Sequence, residues 1–245
     1  MPGKSKVKYI QSLGFKKFRD EVHAFVAEGP KVIRELLLEK VNVQELFATK
    51  EWIDGNKNLL TNVSITEITQ QELERISFLT TPNQVLAIVK KPGDEVKINC
   101  KGKITLMLDT IQDPGNMGTI IRTADWFGVS QIICSHDCAD IYNPKVVQAS
   151  MGCIARVMVY YTELKDFLKQ QEQIRIYAAT LEGKDAGATK IHEGIIIIGN
   201  ESRGIHPEIL DMANVKINIR RIGKAESLNA AVAAGIILSH ILNYE

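Results

Sequence analysis

The chain has 245 residues, 45% of them hydrophobic and 24% charged, which excludes an intrinsically disordered protein and leaves room for one large domain or two of ordinary size. The formal net charge is only +1, which excludes a globally basic nucleic-acid binder, so any RNA contact must come from local basic patches. The opening residues, MPGKSKVKYI, contain no signal-type apolar segment, and no apolar run approaches the roughly 18 residues of a membrane span; the expectation is a cytoplasmic protein with no membrane association.

In chain order, Lys4–Phe18 is basic and amphipathic and predicts a first helix. Val22–Val26 is short and apolar, as a strand is. Gly29-Pro30 precedes a helical pattern of Val32, Ile33, Leu36 and Leu37, with Pro30 suited to a helix start. Leu46–Ala48 and Gln84–Val89 read as further strands. The run Lys90-Lys91-Pro92-Gly93-Asp94-Glu95 gathers proline, glycine and charge and is crossed by no apolar period. It marks a boundary between a domain at 1–92 and a second at 103–245, with 93–102 as linker.

Beyond the linker, Ile104–Leu108, Gln131–Cys134, Ile174–Ala179, Ile195–Ile198 and Val215–Ile219 are short, largely apolar runs, several of them separated by helical patterns. Four consecutive isoleucines suit a strand buried on both faces of a parallel sheet, and strands alternating with helices predict an α/β domain. The Ala-rich stretch Leu228–Leu242 reads as the last helix. Cys134-Ser135-His136-Asp137-Cys138 has the residue types of a metal site but no second Cys/His pair of suitable spacing, so buried or half-buried thiols and no metal are expected.

Three segments carry chemistry. In the first, Asp113-Pro114-Gly115-Asn116-Met117-Gly118 leads to Arg122 and begins a helix just after a strand, the place where open α/β sheets hold ligands. In the second, Gly199-Asn200-Glu201-Ser202-Arg203-Gly204 follows the isoleucine strand, and its glycines allow a tight turn close to a ligand. It is neither a P-loop nor a dinucleotide fingerprint. In the third, Ile219-Arg220-Arg221-Ile222-Gly223-Lys224 is a basic loop leading to Ser227-Leu228-Asn229, where Ser227 is a candidate cap for the last helix. Taken singly, these read equally as an N-cap asparagine with a surface arginine, an ordinary turn, and a capped helix with a solvated loop.

Their order is what distinguishes them. Asn-x-Gly-x-x-x-Arg, Gly-x-Glu-x-x-Gly and Ser-Leu-Asn, with Asn143-Pro144-Lys145 through Gly152 between the first two, together resemble the SpoU (TrmH-like) branch of the SPOUT methyltransferases over 103–245. The stretch around Lys16-Lys17-Phe18-Arg19 and Phe25–Gly29 is similar to the substrate-binding domain common in that family. The resemblance implies a trefoil-knotted, parallel-sheet α/β domain preceded by a smaller α/β RNA-binding domain, and a homodimer that transfers methyl from S-adenosylmethionine to a ribose 2′-hydroxyl of RNA. Ribosomal RNA is the preferred substrate and transfer RNA the alternative. It further implies that Arg122, Asn116, Glu201, Ser227 and Asn229 form the catalytic group. Gly199, Ile219 and Leu228 would line the cofactor pocket, and Lys16, Lys17, Arg19, Lys145, Arg220 and Arg221 would contact RNA.

Two departures stand out. Many relatives have Ile-Pro-Met at Ile219-Arg220-Arg221, and often arginine at Gln148. The competing readings are a non-catalytic RNA-binding protein on the same scaffold and an unrelated nucleotide-binding oxidoreductase, the latter without its glycine fingerprint.

Overall fold

The structure is a computed structural model and describes residues 3–61, 63–93 and 98–242. Elements in chain order are α1 (Lys4–Ser12), α2 (Lys16–Val22), β1 (Ala24–Glu28), α3 (Pro30–Leu38), β2 (Val43–Ala48), α4 (Lys50–Gly55), β3 (Ile65–Glu67), α5 (Gln70–Ile76) and β4 (Val85–Lys90). There follow β5 (Ile104–Leu108), α6 (Pro114–Trp126), β6 (Gln131–Cys134), α7 (Pro144–Ser150), β7 (Met158–Tyr161), α8 (Leu164–Lys169), β8 (Ile176–Asp185), β9 (Gly194–Ile198), α9 (Pro207–Leu210), β10 (Val215–Asn218) and α10 (Ala230–Ile241). No helix among the described residues is long and apolar enough to cross a membrane.

The chain forms two compact units: Met1–Asp94 with Asp140–Ala155, and Glu95–Ala139 with Arg156–Glu245. The expected second domain at 103–245 is therefore interrupted. Tyr142 and Val147 bring an apolar face to the first unit's core, where Val147 is buried with Phe25, Val32 and Leu36. The Phe25 and Tyr142 rings lie 4.8 Å apart. Within the expected 93–102 linker, residues 94–97 lie outside the described residues, and Cys100 is buried in the second unit's core.

The first unit carries a sheet in the order β1-β4-β2-β3, with β4 antiparallel to both β1 and β2 and β3 parallel to β2. The long helix expected over Lys4–Phe18 is two helices. Gly14 lies in the turn between them, where a Cβ would sit 2.7 Å from the Phe78 ring. His23 closes α2 in a left-handed conformation (φ 49°), which delays the strand to Ala24 and leaves Val22 half-exposed on the helix. Gly29 (φ 88°) and then Pro30 start α3, as the sequence predicts.

Arg19 corrects the expectation of a surface RNA contact. Its side chain is 2% exposed, and it donates to the Leu13 carbonyl at 2.8 Å and to Asp140 Oδ2 at 2.5 Å. The guanidinium thus ties α2 to the segment that returns from the second half of the sequence. Lys16 and Lys17 remain exposed, and Lys16 pairs with Asp20 at 2.6 Å. Nearby, Glu28 is buried and accepts from the Ser77 hydroxyl and the Phe78 N–H; burial pushes its carboxyl above the usual range.

The second unit is built on an all-parallel sheet in the order β10-β8-β9-β5-β6-β7. Every residue of β5, β6 and β9 is buried, which is why those strands read as unbroken apolar runs. β8 runs to Asp185, well past the predicted end at Ala179, and β7, with the half-exposed sequence MVYY, escapes the apolar criterion. α10 packs on α6.

Replacing Arg19 with alanine strands the Leu13 carbonyl and the Asp140 carboxylate. Arg19→Ala is expected to cost about 3–5 kcal/mol in urea unfolding of the first unit, whereas removal of a surface lysine such as Lys17 is expected to leave the midpoint unmoved.

Candidate active site

The three motif segments leave the sheet at the carboxyl ends of parallel strands: β5 runs into Asp109, β9 into Gly199 and β10 into Ile219. β5 and β9 are neighbours, and β8 separates β9 from β10. This is the edge at which open α/β sheets collect ligand-binding loops.

Each loop has a local cause. Asp113 caps α6, its carboxylate accepting from the Asn116 N–H at 2.7 Å, with Pro114 at the first helical position. Asn116 therefore sits inside the first turn and is not the cap that the sequence suggests. The Gly199–Gly204 loop closes on itself: Asn200 and Gly204 exchange backbone hydrogen bonds of 3.0 and 2.9 Å. A Cβ on Gly199 would lie 2.4 Å from backbone atoms of Gly204 and Ile205, and Gly204 is left-handed at φ 71°. Both positions thus require glycine, for different reasons.

The last helix starts later than expected. Asn229, not Ser227, caps α10: its Oδ1 accepts from Ala231 N and Val232 N at 3.0 and 3.2 Å. With its oxygen held by the helix, its amide nitrogen faces outward and donates to Asn116 Oδ1 at 2.8 Å. The Asn116 amide nitrogen in turn donates to Glu201 Oε1. Asn229, Asn116 and Glu201 thus form one polar relay that ties the N-termini of α10 and α6 to the β9 loop.

Other expected residues stand apart from the relay. Arg122 is exposed on α6 and makes no hydrogen bond or ion pair among the described residues. Its six-residue offset from Asn116 turns it to a different face of the helix. The Asn116 side chain bonds to Glu201 and Asn229 and makes no hydrogen bond to Arg122. Ser227 and Arg220 are exposed, and Arg221 reaches back to the Ala225 carbonyl at 3.3 Å. In the first unit, Lys145 is exposed at the start of α7 and Gln148 is half-buried near Gly29.

Gly199 and Leu228 flank the relay as chain neighbours, two residues from Glu201 and one from Asn229. Leu228 is 43% exposed, Ile219 half-buried and Ile222 almost fully exposed. Uncovered apolar side chains next to close-packed, glycine-lined backbone fit a cofactor that joins an aromatic base to a charged tail.

Cys134 and Cys138 are buried, and no cluster of three or more His, Cys, Asp or Glu among the described residues is arranged to hold a metal. Hydrogen bonding from Cys134 holds the Cys138 thiol down to about 7, while burial pushes Cys134 up. Sequence reasoning missed Asp109, Thr110 and Asn200. Asp113 was within reach, because Asp followed by Pro at a strand end is a cap signal.

The reassigned cap yields a measurable contrast. Asn229→Ala is expected to lose about 1 kcal/mol or more in denaturant unfolding, because cap and relay go together. Ser227→Ala is expected to stay within about 0.5 kcal/mol of the parent; equal losses would return the cap to Ser227.

Comparison with known proteins bears on this geometry. The model of the SpoU rRNA Methylase family matches residues 103–239, and that of the MRM3-like substrate binding domain matches residues 4–87. A Bacillus subtilis protein named 23S rRNA (guanosine(2553)-2′-O)-methyltransferase RlmP is 29% identical over 241 residues, covering 96% of this chain and 95% of its own. A TrmH-family protein from Porphyromonas gingivalis superposes with a TM-score of 0.87 at 32% identity over 98% of both chains. An AdoMet-bound rRNA methyltransferase from Sinorhizobium meliloti gives a TM-score of 0.85 at 28% identity over 98% of this chain and 96% of its own. With Asn116, Glu201 and Asn229 joined in one relay and the family match spanning more than half its length, the chain belongs to the SpoU rRNA methylase family.

Proposed function

We propose that this protein transfers a methyl group from S-adenosylmethionine to a ribose 2′-hydroxyl of ribosomal RNA. The observation that carries the reading is the Asn229–Asn116–Glu201 relay, which joins residues from all three family segments at one sheet edge. The choice of ribosomal RNA is supported by the B. subtilis relative, similar along nearly the whole chain. The N-terminal match to a substrate-binding domain agrees with it.

S-adenosylmethionine, when bound, would supply a methyl group on its sulfonium sulfur, open to in-line displacement with S-adenosylhomocysteine as the leaving group. The chain must hold the nucleophile in line with it, exclude water and manage the hydroxyl proton. Gly199, Ile219 and Leu228 line the cofactor site in this reading. Glu201 is held by Asn116 and fixes the β9 loop. Asn229 orders the start of α10, and Ser227 faces the target nucleotide. Arg122 carries a guanidinium with no hydrogen-bond or ion-pair partner among the described residues, available to orient the target phosphate and to stabilise negative charge developing on O2′.

The remaining parts follow the same reading. Residues 1–92, joined by 140–155, act as the RNA-binding domain, with Lys16, Lys17 and Lys145 toward the phosphate backbone. Phe15 and Phe18 extend that patch: they are exposed on either side of Lys16 and Lys17, and their rings stand edge-to-face at 6.4 Å. Arg220 and Arg221 add charge at the cofactor loop. The C-terminal chain forms the trefoil knot, consistent with a loop over 219–229 that brings α10 back onto α6. α10 is apolar on nearly every position, yet Val232 is 49% exposed, which supports a homodimer that covers it. The protein works in the cytoplasm in this reading, which the bacterial rRNA methyltransferase relative supports.

Mapping 2′-O-methylation in cellular RNA with and without the gene tests the reaction and the target together. Loss of one ribosomal RNA site is expected; loss only at a transfer RNA site would replace the substrate, and no change would favour a non-catalytic RNA-binding role. The part played by Arg122 is separable. Arg122→Lys keeps the charge and loses the fork, so kcat is expected to fall about 10²-fold with an unchanged pH profile. A variant rate that climbs steeply toward alkaline pH would instead make this side chain the proton acceptor.

A further inference from the structure

The turn from β5 into the first motif has an unusual backbone. Thr110 is β-branched and left-handed, at φ 60°. Such a residue holds that conformation only where its surroundings overdetermine it, and these sites cluster around functional loops. The Thr110 N–H donates to Ser135 Oγ at 2.9 Å, its hydroxyl donates to Asp109 Oδ1 at 3.0 Å, and its carbonyl accepts from Asn200 Nδ2 at 3.0 Å. The next residue is pinned as well: Ile111 N–H donates to Cys138 Sγ at 3.3 Å and its carbonyl accepts from Ala139 N at 2.8 Å.

Asp109 faces the other way. Its side chain is buried at 5% exposure, and Oδ2 accepts from the His206 N–H at 2.6 Å. The Gly199–Gly204 loop is therefore anchored to the β5 turn at both ends, through Asn200 onto the Thr110 carbonyl and through His206 onto Asp109. Asn200 also organises the loop from within, its Oδ1 accepting from Ser202 N and Arg203 N at 2.9 and 3.1 Å. None of these groups belongs to the Asn229–Asn116–Glu201 relay, which fixes Glu201 only through its side chain.

We infer that Asp109 and Asn200 are positioning residues for the methyl-transfer reaction, holding the Gly199–Gly204 backbone in the form that receives the cofactor. The inference rests on the cofactor reading of that loop given above. Neither residue touches the reacting atoms. Their effect is on how much of the protein carries a loop ready to bind, and a fractionally populated binding-competent state weakens apparent affinity by that fraction.

The test is S-adenosylmethionine affinity by isothermal titration, paired with steady-state kinetics on the RNA substrate, for the full-length protein and Asp109→Ala, Asp109→Asn and Asn200→Ala. Loss of these anchoring hydrogen bonds is expected to raise Kd and KM for the cofactor roughly tenfold in Asp109→Ala and Asn200→Ala, with kcat at saturating cofactor within about threefold. Asp109→Asn keeps an acceptor for the His206 N–H and can donate to the Thr110 hydroxyl, so it is expected to restore most of the affinity. A role confined to general stability would lower the melting temperature without this split or this rescue. Should Asp109→Ala fail to fold, Asn200→Ala, altered at a half-buried loop position, carries the test alone. Parental affinity in the folded variants, or a fall in kcat at unchanged KM, overturns the inference and leaves the cofactor reading intact. Absence of S-adenosylmethionine binding by the parent protein overturns both.

Discussion

The site depends on one constraint: an asparagine side chain has one acceptor and one donor end, and three of its kind of contact must be satisfied in series. The α10 N-terminus takes the oxygen of Asn229, so its nitrogen is left for Asn116 Oδ1, and the Asn116 nitrogen is left for Glu201. Reversing either amide would set donor against donor. The chain of bonds therefore fixes the orientation of both amides and the loop carrying Glu201, and it does so with residues 85 and 113 positions apart in the sequence. Two helix starts and one strand end become a single polar unit, and Gly199 and Leu228 are placed beside it by chain connectivity alone.

The surrounding backbone makes that unit rigid. Every residue of β5 and β9 is buried, and the strands are paired in register from Ile104 with Gly194 to Leu108 with Ile198. The loops leaving them start from fixed points. Asp109, Thr110 and Asn200 then extend the hydrogen-bonded order of the sheet beyond its last rung. A loop so held can present backbone groups to a ligand without losing entropy on binding, which is the use to which a strained threonine and two obligatory glycines are suited.

In the first unit a different interaction plays the organising part. Arg19 is nearly fully buried, and its partner Asp140 arrives from 121 positions away. A buried guanidinium without that carboxylate would be costly, so the ion pair helps decide where the 140–155 segment packs. The same segment contributes Val147 to the first unit's core. The connection between β6 and β7 thus serves the folding of a unit to which it does not belong in sequence.

The sequence by itself determined the parallel α/β sheet, most of its strands and the family, because buried strands are unbroken apolar runs and the motif residues keep their order and spacing. It also determined which glycines matter, since the turns that need them are local. Tertiary structure alone decided the rest. Two helices replaced the one expected over Lys4–Phe18, and the Gly14 between them packs against Phe78, 64 positions away in the chain, with no room for a Cβ. Arg19 left the candidate RNA surface because its partners, Leu13 and Asp140, are visible only after folding. The cap of α10 passed from Ser227 to Asn229, two residues whose capping propensities are nearly equal in isolation. In the folded chain Asn229 also donates to Asn116, a long-range neighbour that no local capping rule includes.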